Sequence, residues 1–449
     1  MEVRGIVQIK VKRICLAVSI SLSVPYARAA ELAYGAGYVG EYSDNFHQTP
    51  TNQESVWIDS LLIGFGYQET GPEWTASVRG QGEYRKYSVS DVSNQYVTDL
   101  DASGIWTISP ERLSWTAQDV DRQVREDVTR PASSENSAQV NTFSTGPDAQ
   151  LHIGESNILA FGLRYGYVSY DDHSQNNTRY DGTARWIYEL SERTRISLNF
   201  EREKVAFKDN VANNDYTQDN IYLRLDSRQG QSEFVVDAGE TDIHRDRGAD
   251  AHGTLARLTW TREITPTTSA GISAAKEYSN AGTEVLASGT LDGGTGQSGT
   301  GVSGTAIAQE ANGDVYVVER GNVFYASRGE EFMVNLQLVG AEYEYEAHTL
   351  DRRENGGRFD VTYDFSGATA LTFYGSETQT KYLSFDREDD DKVVGLRLSY
   401  RAGRNVTLIF GVSQNEREST DATQPFKEQR ALLGLLYSTG PTYVPVIHE

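Results

Sequence analysis

The sequence predicts an all-β protein, a transmembrane antiparallel up-and-down β-barrel of about 20 strands, within a range of 18 to 22. Three observations predict it: apolar and polar residues alternate along the chain, short turns recur at regular intervals, and the N-terminus resembles an export signal. Segments 196–200 and 359–363 show the alternation. Because successive side chains of a strand point to opposite faces, this period of two predicts strands with unlike faces. No amphipathic helical stripe with capping residues stands out.

The turns set the architecture. Nine short polar turns are centred near residues 71, 110, 155, 192, 229, 266, 329, 367 and 403, most of them about 37 residues apart. Longer polar segments lie between them, for example 43–54, 126–139 and 386–391. Each unit holds two strands of roughly 12 residues, enough to cross a bilayer, which takes ~9–11 tilted residues. Short periplasmic turns alternating with longer extracellular loops are typical of outer-membrane barrels. A solenoid or propeller would repeat a motif at fixed positions, whereas only the alternation recurs.

Residues 1–29 are predicted to be a cleaved signal peptide. A basic start (Arg4, Lys10, Lys12, Arg13) precedes an apolar stretch over 14–24 and the small-residue site Ala27-Arg28-Ala29. The apolar stretch is too short to span a bilayer. Cys15, the single cysteine, lies within this segment, so disulfides and cysteine-ligated metals are not expected. We expect a barrel over 30–440, a periplasmic tail over 441–449, and localisation in the outer membrane of a diderm bacterium.

One segment departs from the rhythm. Residues 281–314 form a Gly/Ser/Thr-rich insertion that contains no aromatic residue and explains a turn spacing of 63 residues. It follows an odd-numbered strand, which places it on the extracellular side. Its composition predicts a flexible loop, the least ordered part of the mature chain. Two alternatives stay open: the loop folds into the lumen as a constriction, or it is a solvated surface loop.

The alternation also predicts which side chains line the lumen. In each strand the apolar set should face lipid and its partner set the interior, since an arginine or lysine facing mid-bilayer costs about 2–4 kcal/mol. The interior is therefore expected to be polar and hydrated, without an apolar core. Aromatic residues near strand ends are expected to form an interfacial girdle: Trp74, Trp106, Trp115, Tyr188 and Trp260. The predicted lumen residues are Arg79, Gln81, Glu83, Arg164, Asp181, Arg185, Glu189, Glu201, Arg224, Asp226, Asp237, Arg257, Asn335, Gln337, Asp360, Asp364 and Arg397. Any one of these could instead serve only to fix strand register through cross-strand pairs.

Motifs for enzymatic chemistry are lacking. Gly35–Gly40 matches G-x-G-x-x-G, but it lies inside the first predicted strand with no helix after it, so a phosphate-binding role has no support. The seven histidines show no metal-ligand spacing, and no G-x-S-x-G sequence occurs. The acidic run 388–391 is expected to be a solvated loop. A net charge of −23 disfavours a nucleic-acid partner. We expect no enzyme activity, metal or cofactor; a dispersed hydrolase site stays open.

Two stretches carry a family resemblance. One is Tyr38–Asn45, a strand that runs into a Ser-Asp-Asn loop; the other runs from Gly321-Asn-Val-Phe324 through regular hairpins to Gly434-Leu-Leu-Tyr437. Together they resemble the outer-membrane β-barrels encoded with exopolysaccharide biosynthesis loci, including those associated with PEP-CTERM protein sorting. One departure is the ending Pro445–Glu449, where such chains usually end on an aromatic residue. Gly434-x-x-Tyr437 would then serve as an internal closing-strand signal.

The resemblance implies a non-enzymatic role in exopolysaccharide export or assembly. The mixed charge of the predicted lumen suits a general or solute-specific diffusion porin equally well; a surface adhesin and a barrel hydrolase are further alternatives. The expected partners are outer-membrane lipid, the barrel assembly machinery, exopolysaccharide and periplasmic export components.

Overall fold

The computed structural model describes residues 30–171, 175–209, 215–287, 315–345 and 350–447. Twenty strands form one sheet in which each strand pairs antiparallel with the next. The sheet closes on itself because β1 also pairs with β20, with Gly37 opposite Leu436 and Gly40 opposite Leu433. The predicted barrel and its strand number are therefore confirmed. The predicted signal peptide lies outside the described residues.

The strands run from 12 to 17 residues. They are β1 (Glu31–Ser43), β2 (Val56–Thr70), β3 (Trp74–Tyr87), β4 (Gln95–Ser109), β5 (Leu113–Arg125), β6 (Ser137–Ile153), β7 (Asn157–Tyr170), β8 (Asn177–Ser191), β9 (Thr194–Phe207), β10 (Tyr216–Gln229), β11 (Ser232–Arg245), β12 (Ala251–Thr265), β13 (Thr268–Ser279), β14 (Tyr316–Arg328), β15 (Phe332–Tyr345), β16 (Arg352–Ser366), β17 (Thr369–Tyr382), β18 (Arg387–Arg401), β19 (Val406–Ser419) and β20 (Phe426–Ser438). One helix, α1 (Ala281–Ala287), follows β13.

The outward face of the barrel is apolar. Large hydrophobic side chains at alternate strand positions are more than half exposed, among them Ile63, Leu163, Leu338 and Leu433. A closed sheet satisfies its own backbone hydrogen bonds and has no edge, so this apolar band can face hydrocarbon, and the barrel crosses the membrane with its strands. Among the described residues, no helix is long and apolar enough to cross a membrane.

Aromatic residues mark the periplasmic rim. The Trp74 and Trp106 rings stack with centroids 5.7 Å apart, and Trp106 lies opposite Trp115 in the next strand pair. All three side chains are about 40% exposed. This arrangement is that of an interfacial girdle, where amphipathic rings meet the headgroup region.

The acidic run is not the loop that the sequence predicted. Residues 387–391 open β18 instead. The carboxylate of Asp389 is fully buried and accepts hydrogen bonds from Arg387 at 2.9 Å and Ser419 at 2.6 Å. Arg417 donates to both carboxylate oxygens of Asp391 at 2.6 Å. Arg387, which directly precedes the run, and Arg417 of the next strand thus neutralise it, and strand pairing becomes favourable.

The expectation of an interior without apolar packing is also wrong. Small apolar clusters lie inside the barrel near the extracellular strand ends. One of them joins Val120, Val140 and Val168 of the wall to Ala281 and Val285 of α1. The first cluster forms where α1 folds inward and packs against the wall.

Candidate functional site: the obstructed lumen

Helix α1 lies within the lumen and covers the first part of the insertion. Asn280 caps it: the Asn280 side-chain oxygen accepts a hydrogen bond from the Thr283 backbone N–H at 3.0 Å. Ala281, Gly282 and Val285 are buried. The Thr142 hydroxyl of β6 lies 3.4 Å from the Gly282 carbonyl oxygen. The helix thus bridges from the end of β13 to β6, and the described part of the insertion enters the lumen rather than standing on the surface. The rest of the insertion, 288–314, lies outside the described residues.

Arg179 of β8 clamps the start of this helix. Its guanidinium is buried and donates to the side chains of Asn280 at 2.5 Å and Thr283 at 2.9 Å. The same group forms a 3.0 Å ion pair with Glu203 of the neighbouring strand. Because one arginine serves both the wall and the helix, the position of α1 depends on a charged hydrogen-bond network.

A second network reaches α1 from the opposite direction. Arg224 donates to Asp237 at 2.7 and 2.8 Å. Asp237 also lies 3.5 Å from Arg257, and Arg257 donates to Glu277 at 2.6 Å. Arg320 closes the series by binding both Glu277 at 2.5 Å and Glu284 of α1 at 2.8 Å. Alternating charges therefore run around the wall from β10 to β14 and end on the helix.

The helix and the wall border an open cavity of about 950 Å³. Guanidinium and carboxylate groups line it together with hydroxyls and amides, so it has no single charge sign. This mixture can hydrogen-bond hydrated, neutral or zwitterionic groups, and it does not select for one ionic charge. Its charged lining residues are Arg164, Arg179, Asp181, Glu201, Arg202, Glu203, Arg257, Glu277, Glu284 and Arg320.

The C-terminal tail, residues 439–447, fills another part of the lumen. The sequence predicted a periplasmic tail over 441–449, and this is wrong for the described part. After β20 the chain turns back into the barrel. Tyr443 is buried at 1% exposure and donates its hydroxyl to Gln81 at 2.9 Å. Two glycines of β2 leave space for the tail because they have no Cβ. A Cβ on Gly64 would lie 2.3 Å from the Tyr443 hydroxyl, and one on Gly66 would lie 2.3 Å from the Thr442 carbonyl.

The tail pairs with the wall through its backbone. Gln81 donates to the Val446 carbonyl at 2.7 Å and accepts from the Val446 N–H at 2.8 Å. Ile447 packs against an apolar cluster that includes Val39 and Leu62. An irregular segment inside a barrel is stable when its backbone groups are satisfied in this way.

The β5–β6 loop, residues 126–136, closes part of the extracellular mouth. The Tyr382 hydroxyl donates to the Val128 carbonyl at 2.9 Å, and Arg387 donates to the Thr129 carbonyl at 2.6 Å. Val128 is 2% exposed. Since β5 and β17–β18 are distant in the sheet, this loop crosses the opening.

The predicted lumen residues fall into three groups. Arg164, Asp181, Glu201, Arg224, Asp237 and Arg257 are brought together around the cavity and its ion-pair series. Arg79 and Gln81 bind the tail, and Glu83 pairs with Arg85. The others are spread along β8, β10, β15, β16 and β18: Arg185, Glu189, Asp226, Asn335, Gln337, Asp360, Asp364 and Arg397.

Members of the dispersed group have local partners. Asp360 pairs with Arg358 at 3.1 Å, Glu189 pairs with Arg195 at 3.0 Å, and Arg397 lies 5.4 Å from the centre of the Tyr374 ring. The pairs of Glu189 and Arg397 connect neighbouring strands, the pair of Asp360 lies within β16, and the three contacts do not converge on a site.

Sequence reasoning missed the residues that hold α1: Arg179, Glu277, Asn280, Glu284 and Arg320. One signal could have found the first, since Arg179 precedes the predicted Asp181 by two positions and shares its face. The pairing of Arg320 with Glu284 could not be found, because it depends on the course of the insertion through the lumen.

No family model and no curated protein matches the chain. Among solved structures, the FrpB iron transporter from Neisseria meningitidis is 8% identical, with a TM-score of 0.44 over 90% of this chain and 81% of that one. The ferric enterobactin receptor PfeA from Pseudomonas aeruginosa is 9% identical, with a TM-score of 0.45 over 92% and 81%. The outer membrane protein OpdK from Pseudomonas aeruginosa is 11% identical, with a TM-score of 0.39 over 91% and 99%. At these values the similarities identify neither a family nor a cargo.

Proposed function

We propose that the protein is a non-enzymatic outer-membrane conduit for a hydrated, polar cargo, and that its lumen opens when α1 is displaced. The single observation that carries this proposal is the cavity of about 950 Å³, which is lined by arginines and carboxylates of mixed charge and bounded by a helix held through side-chain contacts. Helix α1 takes no part in the sheet, so it can leave without breaking any strand pairing. Water then solvates the groups that had paired with Arg179 and Arg320, and Val285 leaves its apolar contacts with the wall.

Exopolysaccharide is the cargo that the sequence resemblance favours, for export or assembly. A polysaccharide presents hydroxyls that both donate and accept hydrogen bonds, which suits a lining of arginines, carboxylates and amides. In this proposal the partners are outer-membrane lipid, the barrel assembly machinery and periplasmic export components. The same lining serves a diffusion porin for small polar solutes, so this second function is kept.

Replacing residues 280–314 by a short Gly-Ser linker from Ser279 to Val315 tests the conduit. The barrel should still fold and keep its heat-modifiable gel migration, because α1 takes no part in the sheet. Single-channel conductance in planar bilayers should rise several-fold, since the helix no longer occupies the lumen. Unchanged conductance in a folded variant would contradict gating by α1.

A gene-deletion strain separates the cargoes. Loss of secreted polysaccharide with normal uptake of small sugars supports export. Normal polysaccharide with slow solute uptake supports the porin. If neither changes, the conduit proposal is wrong.

A further inference from the structure

Three extracellular loops meet at His47. His47 lies in the β1–β2 loop (44–55) with Glu54, Asp91 lies in the β3–β4 loop (88–94), and Glu135 lies in the β5–β6 loop (126–136). The His47 Nε2 atom is 3.5 Å from the Glu54 carboxylate and 3.6 Å from that of Asp91. The Nδ1 atom is 2.8 Å from Glu135. One imidazole therefore contacts carboxylates on both of its nitrogens.

The imidazole has a defined orientation. With Glu135 accepting from Nδ1–H, the neutral ring directs its Nε2 lone pair toward the other two carboxylates. Nε2 is buried and has no hydrogen-bond partner. A lone pair facing two anionic oxygens is unfavourable unless a positive charge lies between them. This carboxylate–histidine pairing is the one that orients histidine ligands in metal sites.

The spacing suits a small divalent cation. Donor atoms of His47, Glu54 and Asp91 all lie within 4.8 Å of one another. Metal–ligand bonds of about 2.0–2.2 Å in tetrahedral geometry place donor atoms roughly 3.3–3.6 Å apart. The distances from Nε2 to the Glu54 and Asp91 carboxylates, 3.5 and 3.6 Å, are of this size. An imidazole donor favours zinc and similar transition metals over Ca²⁺ or Mg²⁺, which prefer oxygen ligands alone.

The donors stand on packed loops. Phe46, beside His47, is 2% exposed and packs with Tyr87, Val89 and Val92, which flank Asp91 in the chain. The Phe46 N–H donates to the Glu54 carbonyl at 3.0 Å. Glu135 adjoins Asn136, whose side-chain oxygen accepts from the Asp127 N–H at 2.9 Å and which is 2% exposed. The ligands are thus positioned before any metal arrives, and this lowers the entropic cost of binding.

We propose that His47, Glu54 and Asp91 form an extracellular binding site for a Zn²⁺-type transition-metal ion, with Glu135 as the positioning residue. Glu54 and Asp91 are 48% and 60% exposed, so water can fill the fourth position. A bound ion ties the β1–β2 and β3–β4 loops together directly, and the β5–β6 loop through Glu135. This proposal is independent of the cargo.

The test is Zn²⁺ titration of the metal-free, refolded barrel in detergent, with a competing chelator dye. The wild-type chain should bind one Zn²⁺ with a His47-dependent affinity. His47→Gln should weaken that binding by more than tenfold, and Glu135→Gln by about tenfold while leaving one site, because losing the partner of a ligating histidine typically costs ~10–100-fold. Excess Ca²⁺ should not displace the ion.

His252→Gln is the matched control. His252 pairs with Asp242 at 2.7 Å and is 60% exposed, yet no second carboxylate joins it within ion-pair distance among the described residues. Its loss should leave the affinity unchanged. Heat-modifiable migration verifies that each variant is folded, and X-ray absorption of the zinc complex should show one imidazole nitrogen among oxygen ligands. If a folded wild-type barrel binds no Zn²⁺, or binds it as tightly without His47, the proposal is wrong and a proton occupies the site.

Discussion

Helix α1 and the C-terminal tail both occupy the lumen, but different forces hold them there. Charged side chains hold α1, through Arg179 at its start and Arg320 on Glu284, in addition to the apolar contacts of Ala281 and Val285. The tail is held by backbone hydrogen bonds to Gln81 and by the ring of Tyr443 in a slot made by glycines. We therefore propose that α1 can dissociate from the wall while the tail remains part of it.

The physical reason lies in the interactions with water that replace the contacts of α1 or of the tail when either segment leaves the wall. The ion pairs of α1 exchange for hydration of the same groups, and desolvation already offsets much of their attraction. Release of α1 also exposes Val285, but release of the tail exposes the larger buried ring of Tyr443 together with the partly buried Ile447. Burial of a large apolar side chain contributes about 1.5–3 kcal/mol when it is complete. The ion-paired helix is therefore the better candidate for a gate.

The largest expected effect comes from Arg320→Gln. Glu277 and Glu284, at 10% and 14% side-chain exposure, would lose their shared cation, at a cost of about 3 kcal/mol, near the lower end for buried pairs. The reporter is Val285→Cys, since Val285 is fully buried in α1. Its labelling by a water-soluble thiol reagent should accelerate on the order of 100-fold.

The control for this variant is Arg353→Gln. Arg353 forms an exposed pair with Glu342 at 2.6 Å, and such pairs contribute about 0–1 kcal/mol. It should leave the labelling rate of the V285C reporter unchanged. Equal acceleration by both substitutions would mean that the position of α1 depends on the net charge of the barrel and not on the ion pair between Arg320 and Glu284.

Gly66→Ala should have the next largest effect, confined to the tail. The three heavy atoms nearest to a Cβ at this position all belong to Thr442 or Tyr443, at 2.3 to 3.0 Å. Displacing Tyr443 should raise hydrogen exchange of the Val446 amide by roughly tenfold or more, from the loss of buried area. Gly82→Ala is the control, because nothing lies within 4 Å of its Cβ position. Unchanged exchange at Val446 would show that the tail accommodates the methyl group.

A smaller effect is expected from Asn280→Ala. This substitution removes the helix cap on Thr283 and one hydrogen bond from Arg179, and loss of a cap typically costs about 1 kcal/mol. Labelling of V285C should rise about fivefold. Asn157→Ala, which removes a bond to Trp186 at 3.0 Å at the periplasmic start of β7, should leave the labelling rate of V285C unchanged. A rate unaffected by Asn280→Ala would rule out a capping role.

Ionic strength should give the smallest effect and the sharpest contrast. Raising salt from 0.1 to 1 M shortens the Debye length from about 10 to 3 Å. Labelling of V285C should rise about two- to fivefold, because the pairs of α1 are partly reached by solvent. Exchange at Val446 should stay constant, since its N–H and carbonyl bond to the neutral side chain of Gln81. If both regions respond alike, the distinction between them is wrong.

Much of the fold could be predicted because a strand with unlike faces shows alternating apolar and polar residues in its own sequence. The alternation in β7 and β8 assigned Leu163 and Trp186 to the outer face, where they are 63% and 50% exposed. The nine short turns located the strand boundaries. The acidic run at 388–391 misled the sequence analysis because its partner, Arg417, lies on the next strand, and local composition does not show such a partner.

The site was harder to predict for the same reason. The alternation along each strand was enough to assign Arg224 and Asp237 to the interior. It could not show that they belong to the series of ion pairs that ends on α1. His47, Glu54, Asp91 and Glu135 span 89 positions of the sequence, from 47 to 135. No spacing rule for metal ligands applies to donors carried on separate loops.

The sequence by itself determined the closed barrel, its twenty strands and its polar interior, because period-two alternation and turn spacing are properties of neighbouring residues. Tertiary structure alone decided what fills that interior. The tail enters because Gly64 and Gly66 of β2 leave space for Tyr443 of a segment more than 370 residues away. Helix α1 enters because Arg179 and Arg320 reach it from strands on either side. Contacts of this kind depend on closure of the sheet, which brings together residues that no local pattern relates.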